Sequence, residues 1–267
     1  MSFQIIKKYL FLYWCLFKQH TKVMLEYRGD FFVGVLSTFV IQGSSILFVT
    51  ILFEHIYAIN GWTRDQILFI YSIALTGRAI EMIFFDNLWT VGWQYIRTGG
   101  LDRILVRPIN PLFQIIADRV QKDGLGGLIV GIILLRMSIL NLGLDWTFGN
   151  SALLAIMILS SSIIFMSINL FFATFSFWMT DSLPLMWSVH NLSEFTRYPL
   201  GIYHKVLQFI LTWLIPYGFT AFYPASFFIE NESTNLGILT PLIALICFTI
   251  AYLFWKKGLN SFHSSGS

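Results

Sequence analysis

Charged side chains are scarce in this sequence: only 12% of its 267 residues are Asp, Glu, Lys or Arg, about half the share found in ordinary soluble domains. Several kinds of chemistry are missing with them. No Gly-Lys dipeptide occurs anywhere, which excludes a GxxxxGK[ST] phosphate loop, whose lysine and backbone amides must cradle the nucleotide. The five histidines fall into no HExxH or paired pattern that would hold zinc, and no GxSxG elbow marks a nucleophilic serine. Cys15 and Cys247 are the only cysteines; far apart and in apolar surroundings, they exclude a CxxC metal site and argue against a disulfide framework. A net charge of +3 is too small to point to nucleic acid. The N-terminal apolar stretch is interrupted by Lys7, Lys8, Lys18 and Lys22 and lacks a small-residue cleavage pattern, so it does not read as a signal peptide. No internal repeat is visible, which weighs against a secondary transporter built on inverted repeats.

What the chain does contain is apolar residues, 56% of the total, with a mean hydropathy of +0.70. They fall in continuous blocks of about 20, the length that crosses a bilayer as a helix. Continuous rather than alternating blocks exclude barrel strands. The fold class is therefore all-α, a polytopic membrane protein with about six transmembrane helices. Residues 1–30 read as an amphipathic helix, with aromatic residues on one stripe and lysines off it. This suits a helix lying in the membrane interface; packing on the rest of the protein is the alternative. Residues 31–257 form one transmembrane domain with spans at about 31–53, 66–85, 124–142, 151–179, 183–199 and 236–255. Residues 258–267 are a C-terminal tail.

The region 183–229 is ambiguous, because Pro216, Gly218 and Pro224 break its second apolar piece. Two full spans there would give seven helices and one would give six. Lysine and arginine placement favours six: with six, 12 of them (five in the N-tail, five in the 86–123 loop, two in the C-tail) share one side, against at most three (Arg64, Arg197 and Lys205) on the other. Both termini are then cytoplasmic, and 201–229 is a re-entrant segment, irregular backbone that protein must shield at membrane depth.

Two charge pairs lie within spans, each at i, i+3 on one helix face: Arg78 with Glu81, and Glu194 with Arg197. Charge inside a span tends to mark an interior-facing site; simple anchoring of the second span's end beside Asp86 would also explain the first pair. Arg136 reads as a side chain reaching for the interface. Gly124, Gly126 and Gly127 open a span where close helix packing is expected. In the long polar loop at 86–123, Gly99 and Gly100 break one helix, Leu101 to Val106 forms a short amphipathic one with Asp102 and Arg103 outward, and Arg107-Pro108 and Asn110-Pro111 end it, because the residue before proline avoids the helical region. A short helix bracketed in this way suits a docking element, with an ordinary interfacial helix as the alternative.

The run LDRILVRPINPLFQIIADR, with KVMLEYRGDFFVG before it and LSEFTRYPLGIY after it, resembles the type-2 ABC exporter permeases, in particular the six-helix bacterial subfamily that often occurs as paired permease subunits. The likeness runs over nearly the whole chain. It implies a partner ATP-binding-cassette ATPase holding the ATP and Mg, with no cofactor in this chain, and a second permease subunit, either the same chain or a sister. It implies a coupling helix carried by Leu101, Asp102, Arg103, Leu105, Arg107, Pro108, Asn110 and Pro111, a bacterial cytoplasmic membrane location, and export of an amphiphilic small molecule, drug or peptide. The competing classes are an ion-coupled transporter or channel using Glu81 or Glu194, a membrane scaffold or immunity-type protein, and an intramembrane enzyme.

Overall fold

The computed structural model describes residues 3–26, 28–144, 146–179, 181–229 and 234–262. Of the stretches read above, residues 1–2 and 27 of the N-terminal helix, 145, 180 and 230–233 of the transmembrane domain and 263–267 of the tail lie outside the described residues. Among the described residues the chain is all-helical, with a single isolated bridge between Ile59 and Trp62.

Among the described residues the α-helices are α1 (Phe3–Glu26), α2 (Arg28–His55), α3 (Arg64–Phe85), α4 (Gly100–Leu105), α5 (Pro111–Ala117), α6 (Asp123–Asn141), α7 (Phe148–Thr174), α8 (Leu183–Ser193), α9 (Lys205–Phe209), α10 (Phe222–Phe228) and α11 (Thr240–Asn260). Among the described residues, five helical stretches are long and apolar enough to cross a membrane: Gly29–His55, Arg64–Ile96, Asp123–Asn141, Phe148–Phe177 and Leu236–Asn260. The second runs past α3 through a 3-10 turn (Asp86–Thr90) and a π-helical turn (Val91–Ile96). Its start is fixed by a capping box, the Thr63 N–H donating to Gln66 Oε1 at 3.0 Å, which satisfies end groups that the helix cannot pair internally.

α3 is the axis of the bundle, buried from Ile67 to Gly77 without a break. α6 lies against it at very short range. A Cβ on Gly131 would stand 2.5 Å from Thr76 Oγ1 and 3.2 Å from its nitrogen, and one on Gly124 would stand 2.9 Å from the Ala79 carbonyl. In lipid, where expulsion of water does not drive helices together, such backbone proximity is the main source of association. α7 and α11 pack along the other side, Phe171 stacking on Phe254 at 4.7 Å and Trp255 meeting Phe177 at 5.2 Å. α2 touches the rest with little of its surface: Phe32, Val33, Leu36, Val40, Leu47 and Phe48 are all exposed.

The 183–199 segment, expected as one span, is instead an 11-residue α-helix followed by a 3-10 turn at Glu194–Arg197. Tyr198-Pro199 ends the helix, with Tyr198 extended at φ −124° and ψ 158°, the geometry that a following proline imposes. The segment nevertheless runs from one end of the bundle to the other. Ser182 Oγ is 2.5 Å from Ser176 Oγ beside the end of α7, while the Gly201 carbonyl accepts from Asn60 Nδ2 at 3.1 Å in the α2–α3 loop. Residues 205–228 then form a hairpin. Its turn brings Tyr217 within 5.5 Å of Phe165 and the Thr220 carbonyl within 2.6 Å of Ser161 Oγ, both in the middle of α7. Its far end returns Phe228 to Trp146, ahead of α7, at 5.6 Å.

One further boundary differs from expectation, and another is set by long-range contacts. α5 stops at Ala117: Tyr95 Oη donates to Asp118 Oδ2 at 2.6 Å, and the Gln121 N–H donates to the Ile83 carbonyl at 3.3 Å, drawing the chain out of helix before α6. The last helix continues to Asn260, past the expected end at 255.

Candidate functional site

Two features stand out, a rigid loop at one end of the bundle and a charged cavity within it. The loop is assembled from its inner face outward. Leu101 (0% exposed) and Ile104 pack with Leu88, Val91, Leu112 and Ile115 against Met166, Met186 and Trp255. Gly99, at φ +73°, turns the chain into α4, a left-handed conformation that suits glycine. Asn87 Nδ2 donates to Tyr95 Oη at 2.8 Å and to the Ile115 carbonyl at 2.6 Å. Gln114 Nε2 spans the loop mouth, donating to the carbonyls of Ile104 at 3.2 Å and Ile109 at 2.9 Å.

Asn110 joins three elements. Its side chain caps α5 by accepting from the Phe113 N–H at 3.2 Å, its Nδ2 donates to Tyr252 Oη of α11 at 3.2 Å, and its N–H donates to Tyr9 Oη of α1 at 3.2 Å. Pro111 follows at the first helical position, where its missing N–H is harmless.

The apex is what remains outside. Arg103, Leu105, Arg107 and Pro108 are exposed, Asp102 is partly so, and Val106 is 84% exposed. The expected docking residues thus divide into two groups. Leu101, Asn110 and Pro111 hold the loop from within; the others face outward. Val106, the most exposed residue of the apex, was not among the expected residues, although an apolar residue next to Arg107-Pro108 at the end of an amphipathic helix was a readable signal.

α1 flanks the loop. Tyr9 meets Phe113 edge-on at 4.7 Å and Phe17 stacks near Phe84 at 6.3 Å, while Leu10, Phe11 and Trp14 stay exposed, as do Lys7, Lys8, Lys18 and Lys22.

The cavity, about 260 Å³, lies between α2, α3, the start of α6 and the Leu183–Arg197 segment. Three of the four residues of the expected charge pairs, Arg78, Glu194 and Arg197, line it, and Glu81 stands behind Arg78. Arg78 Nη1 is 3.5 Å from Glu81 Oε2, and Glu81, only 1% exposed, also accepts from Asn169 Nδ2 of α7 at 2.7 Å. Glu81 therefore faces the bundle interior and is not an anchor at its end. Arg197 is 2.7 Å from Glu194 and lies over the Tyr71 ring at 5.5 Å. Arg78 crosses to α8, contacting His190 Nδ1, and lies 5.2 Å over the Phe165 ring. Since guanidinium can only donate, His190 Nδ1 is the acceptor and its proton is on Nε2. Arg136 projects from α6 away from this cluster and is exposed.

Sequence pairing found both couples but not their convergence, nor Asn169, whose signal was a lone amide deep in an apolar run. Among the described residues no three His, Cys, Asp or Glu side chains converge as a metal site would require.

Residues 39–266 match the family described as ABC-2 family transporter protein. No curated protein matches the chain.

Proposed function

The chain belongs to the ABC-2 transporter family, the membrane permeases of ATP-binding-cassette systems, and we propose that it is the six-crossing half of an exporter whose ATP and Mg are bound and turned over by a separate ATPase chain. Five crossings are the long apolar helices; the sixth is the composite segment 182–201, supported by its contacts with Ser176 at one end and Asn60 at the other. Residues 205–228 then enter and leave the bilayer on one side as a re-entrant hairpin, shielded by α7 as irregular backbone at that depth requires. α1 lies in the interface with Trp14 toward lipid and its lysines toward headgroups. Both termini and the 86–123 loop are cytoplasmic, in a bacterial inner membrane. A second permease subunit covers the sparsely packed α2 face.

The observation that carries this reading is the loop apex. Leu105 and Val106 form an exposed apolar knob between Arg103 and Arg107, on a base held by the Asn87, Asn110 and Gln114 hydrogen bonds. A knob on a rigid base transmits displacement instead of absorbing it. Through Asp86–Ile96 the loop is continuous with α3, which carries Arg78 into the cavity. ATP-driven movement of a docked partner would thereby shift α3 against its neighbours and exchange two arrangements of the bundle. The permease needs only different substrate affinities in the two. The mixed lining, with Ile41, Leu75, Met82 and Phe165 beside Arg78, Glu194 and Arg197, suits an amphiphilic small molecule, drug or peptide.

The test is purification of the tagged chain in mild detergent, with identification of its partners and an ATPase assay. A nucleotide-binding chain should co-purify, and Val106→Asp or the double change Asp102→Ala, Arg103→Ala should remove it or uncouple its hydrolysis while leaving the permease folded. A permease that purifies without any ATPase would refute the proposal.

A further inference from the structure

The junction around Asn110 holds more hydrogen-bonding capacity than the chain uses. The Asn110 N–H donates to Tyr9 Oη of α1 and its Nδ2 donates to Tyr252 Oη of α11, each at 3.2 Å. Neither nitrogen can accept, so both phenol oxygens are the acceptors and each keeps its own proton to give. Neither hydroxyl donates to any described residue. Because the two oxygens flank one asparagine, both protons can serve a single outside acceptor. The surroundings are basic. Lys256 Nζ stands 4.8 Å over the Tyr252 ring, Lys8 precedes Tyr9, and Lys8, Arg107 and Lys257 are exposed. Residues 7–9, 104–112 and 252–257 contain no carboxylate; Asp102 and Arg103, on α4, carry opposite charges.

Two further features set this junction at a membrane surface. α11 belongs to one of the long apolar stretches, and its apolar run ends at Lys256 and Lys257, one turn beyond Tyr252. Tyrosines collect at that level of a bilayer. Phe248 stacks on Tyr252 at 5.9 Å and opens an apolar groove of about 530 Å³ between α7 and α11, which runs to Pro241, about 10 Å farther along the helix. The one polar side chain lining it, Ser160, commits its hydroxyl to the Ile156 carbonyl at 2.8 Å. The groove therefore offers nothing to a polar ligand.

We infer that this junction binds one anionic phospholipid, its phosphate accepting from Tyr9 and Tyr252 and facing Lys256, and one acyl chain lying in the groove from Phe248 toward Pro241. Hydrogen bonds from phenol to phosphate are charge-assisted and therefore strong. The basic flank selects among headgroups, since one without an ammonium keeps its negative charge for the lysines. A single phosphate then ties α1, the loop and α11 together, and stiffens the base of the apex from the membrane side. The site needs no ATPase: a permease that purifies alone can still bind the lipid, and one that binds no lipid can still bind its ATPase.

The full chain, purified in mild detergent and stripped of native lipid, is titrated by native mass spectrometry with dioleoylphosphatidylglycerol, dioleoylphosphatidylcholine and glycerol 3-phosphate. One phosphatidylglycerol should bind about tenfold or more tighter than phosphatidylcholine. Glycerol 3-phosphate, which has the phosphate but no chain, should bind far more weakly than either lipid. Lys256→Gln should weaken phosphatidylglycerol binding about fivefold, the worth of one cation beside an anionic headgroup. Tyr252→Phe should weaken it about tenfold, the worth of one hydrogen bond to a charged group. Lys22→Gln removes the same charge about 20 Å from Tyr9 along α1, beyond the reach of screened charge, and should leave the affinity unchanged. Equal weakening by Lys22→Gln and Lys256→Gln would reduce the site to diffuse attraction and overturn the inference. So would equal affinity for the two lipids, binding of glycerol 3-phosphate as tight as that of phosphatidylglycerol, or unchanged affinity in both Lys256→Gln and Tyr252→Phe.

Discussion

Replacing Glu81 tests whether the Arg78–Glu81–Asn169 cluster holds the bundle together. The Glu81 side chain is 2% exposed and that of Arg78 19%, the latter opening on the cavity. Glu81→Leu leaves Arg78 without its carboxylate and Asn169 Nδ2 without its acceptor. Breaking a fully buried pair costs about 3–5 kcal/mol. Arg78 keeps some exposure and its contact with His190, so about 2–4 kcal/mol is the reasonable expectation after discounting for screening. At about 2–4 °C per kcal/mol for chains of this size, the unfolding midpoint should fall by roughly 5–15 °C. Glu81→Gln should lose less, because its amide oxygen still accepts from Asn169.

The decisive variant is the double change Arg78→Met with Glu81→Leu. Removing both charges leaves no orphan, and apolar replacements of buried pairs are often neutral or stabilising, so the double variant should be more stable than Glu81→Leu alone. The assay is loss of the monodisperse peak in size-exclusion chromatography after heating, at one fixed heating schedule because membrane proteins unfold irreversibly. Additive losses in the double variant would refute the reasoning, since they would mean that the two residues stabilise the bundle independently.

Three further outcomes are expected. With Cys15 and Cys247 changed to Ser, Asp181→Cys and Gly201→Cys should react with an impermeant maleimide from opposite sides of the membrane, and Tyr57→Cys from the same side as Gly201→Cys; labelling of 181 and 201 from one side would remove the composite crossing. Asn110→Ala removes the α5 cap and the donor to Tyr252, and should lower stability by about 1–2 kcal/mol and weaken partner-ATPase stimulation; stimulation left unchanged would show that the junction carries no motion. Gly131→Ile forces a Cβ to 2.5 Å from Thr76 Oγ1 and should destabilise by at least about 1–3 kcal/mol; Gly29→Ile, with nothing within 4 Å of its Cβ, is the control and should be near neutral by thermal midpoint.

Some of this architecture is local and was therefore legible in the sequence. Hydrophobic length alone set the five long helices, because a run of about 20 apolar residues has few other options. Proline and glycine set the loop boundaries through the conformations that they forbid or permit, as at Gly99 and Asn110-Pro111. The i, i+3 spacing paired Arg78 with Glu81 and Glu194 with Arg197, since helix geometry fixes those distances without any partner.

What remained open was decided by contacts between segments far apart in the chain. Whether Glu81 anchors an end or faces the interior depends on Asn169, 88 residues away. That the 183–199 helix stops early and still links the two ends of the bundle depends on Ser176 and Asn60 as much as on its own residues. The inward turn of Leu101, which left Val106 as the apex, follows from packing against Met166 and Trp255. Above all, the meeting of Arg78, His190, Glu194 and Arg197 around one cavity is a property of how α3 and the segment Leu183–Arg197 pack. Periodicity in a sequence reports which face of a helix is apolar, but it is silent on which other helix that face will meet.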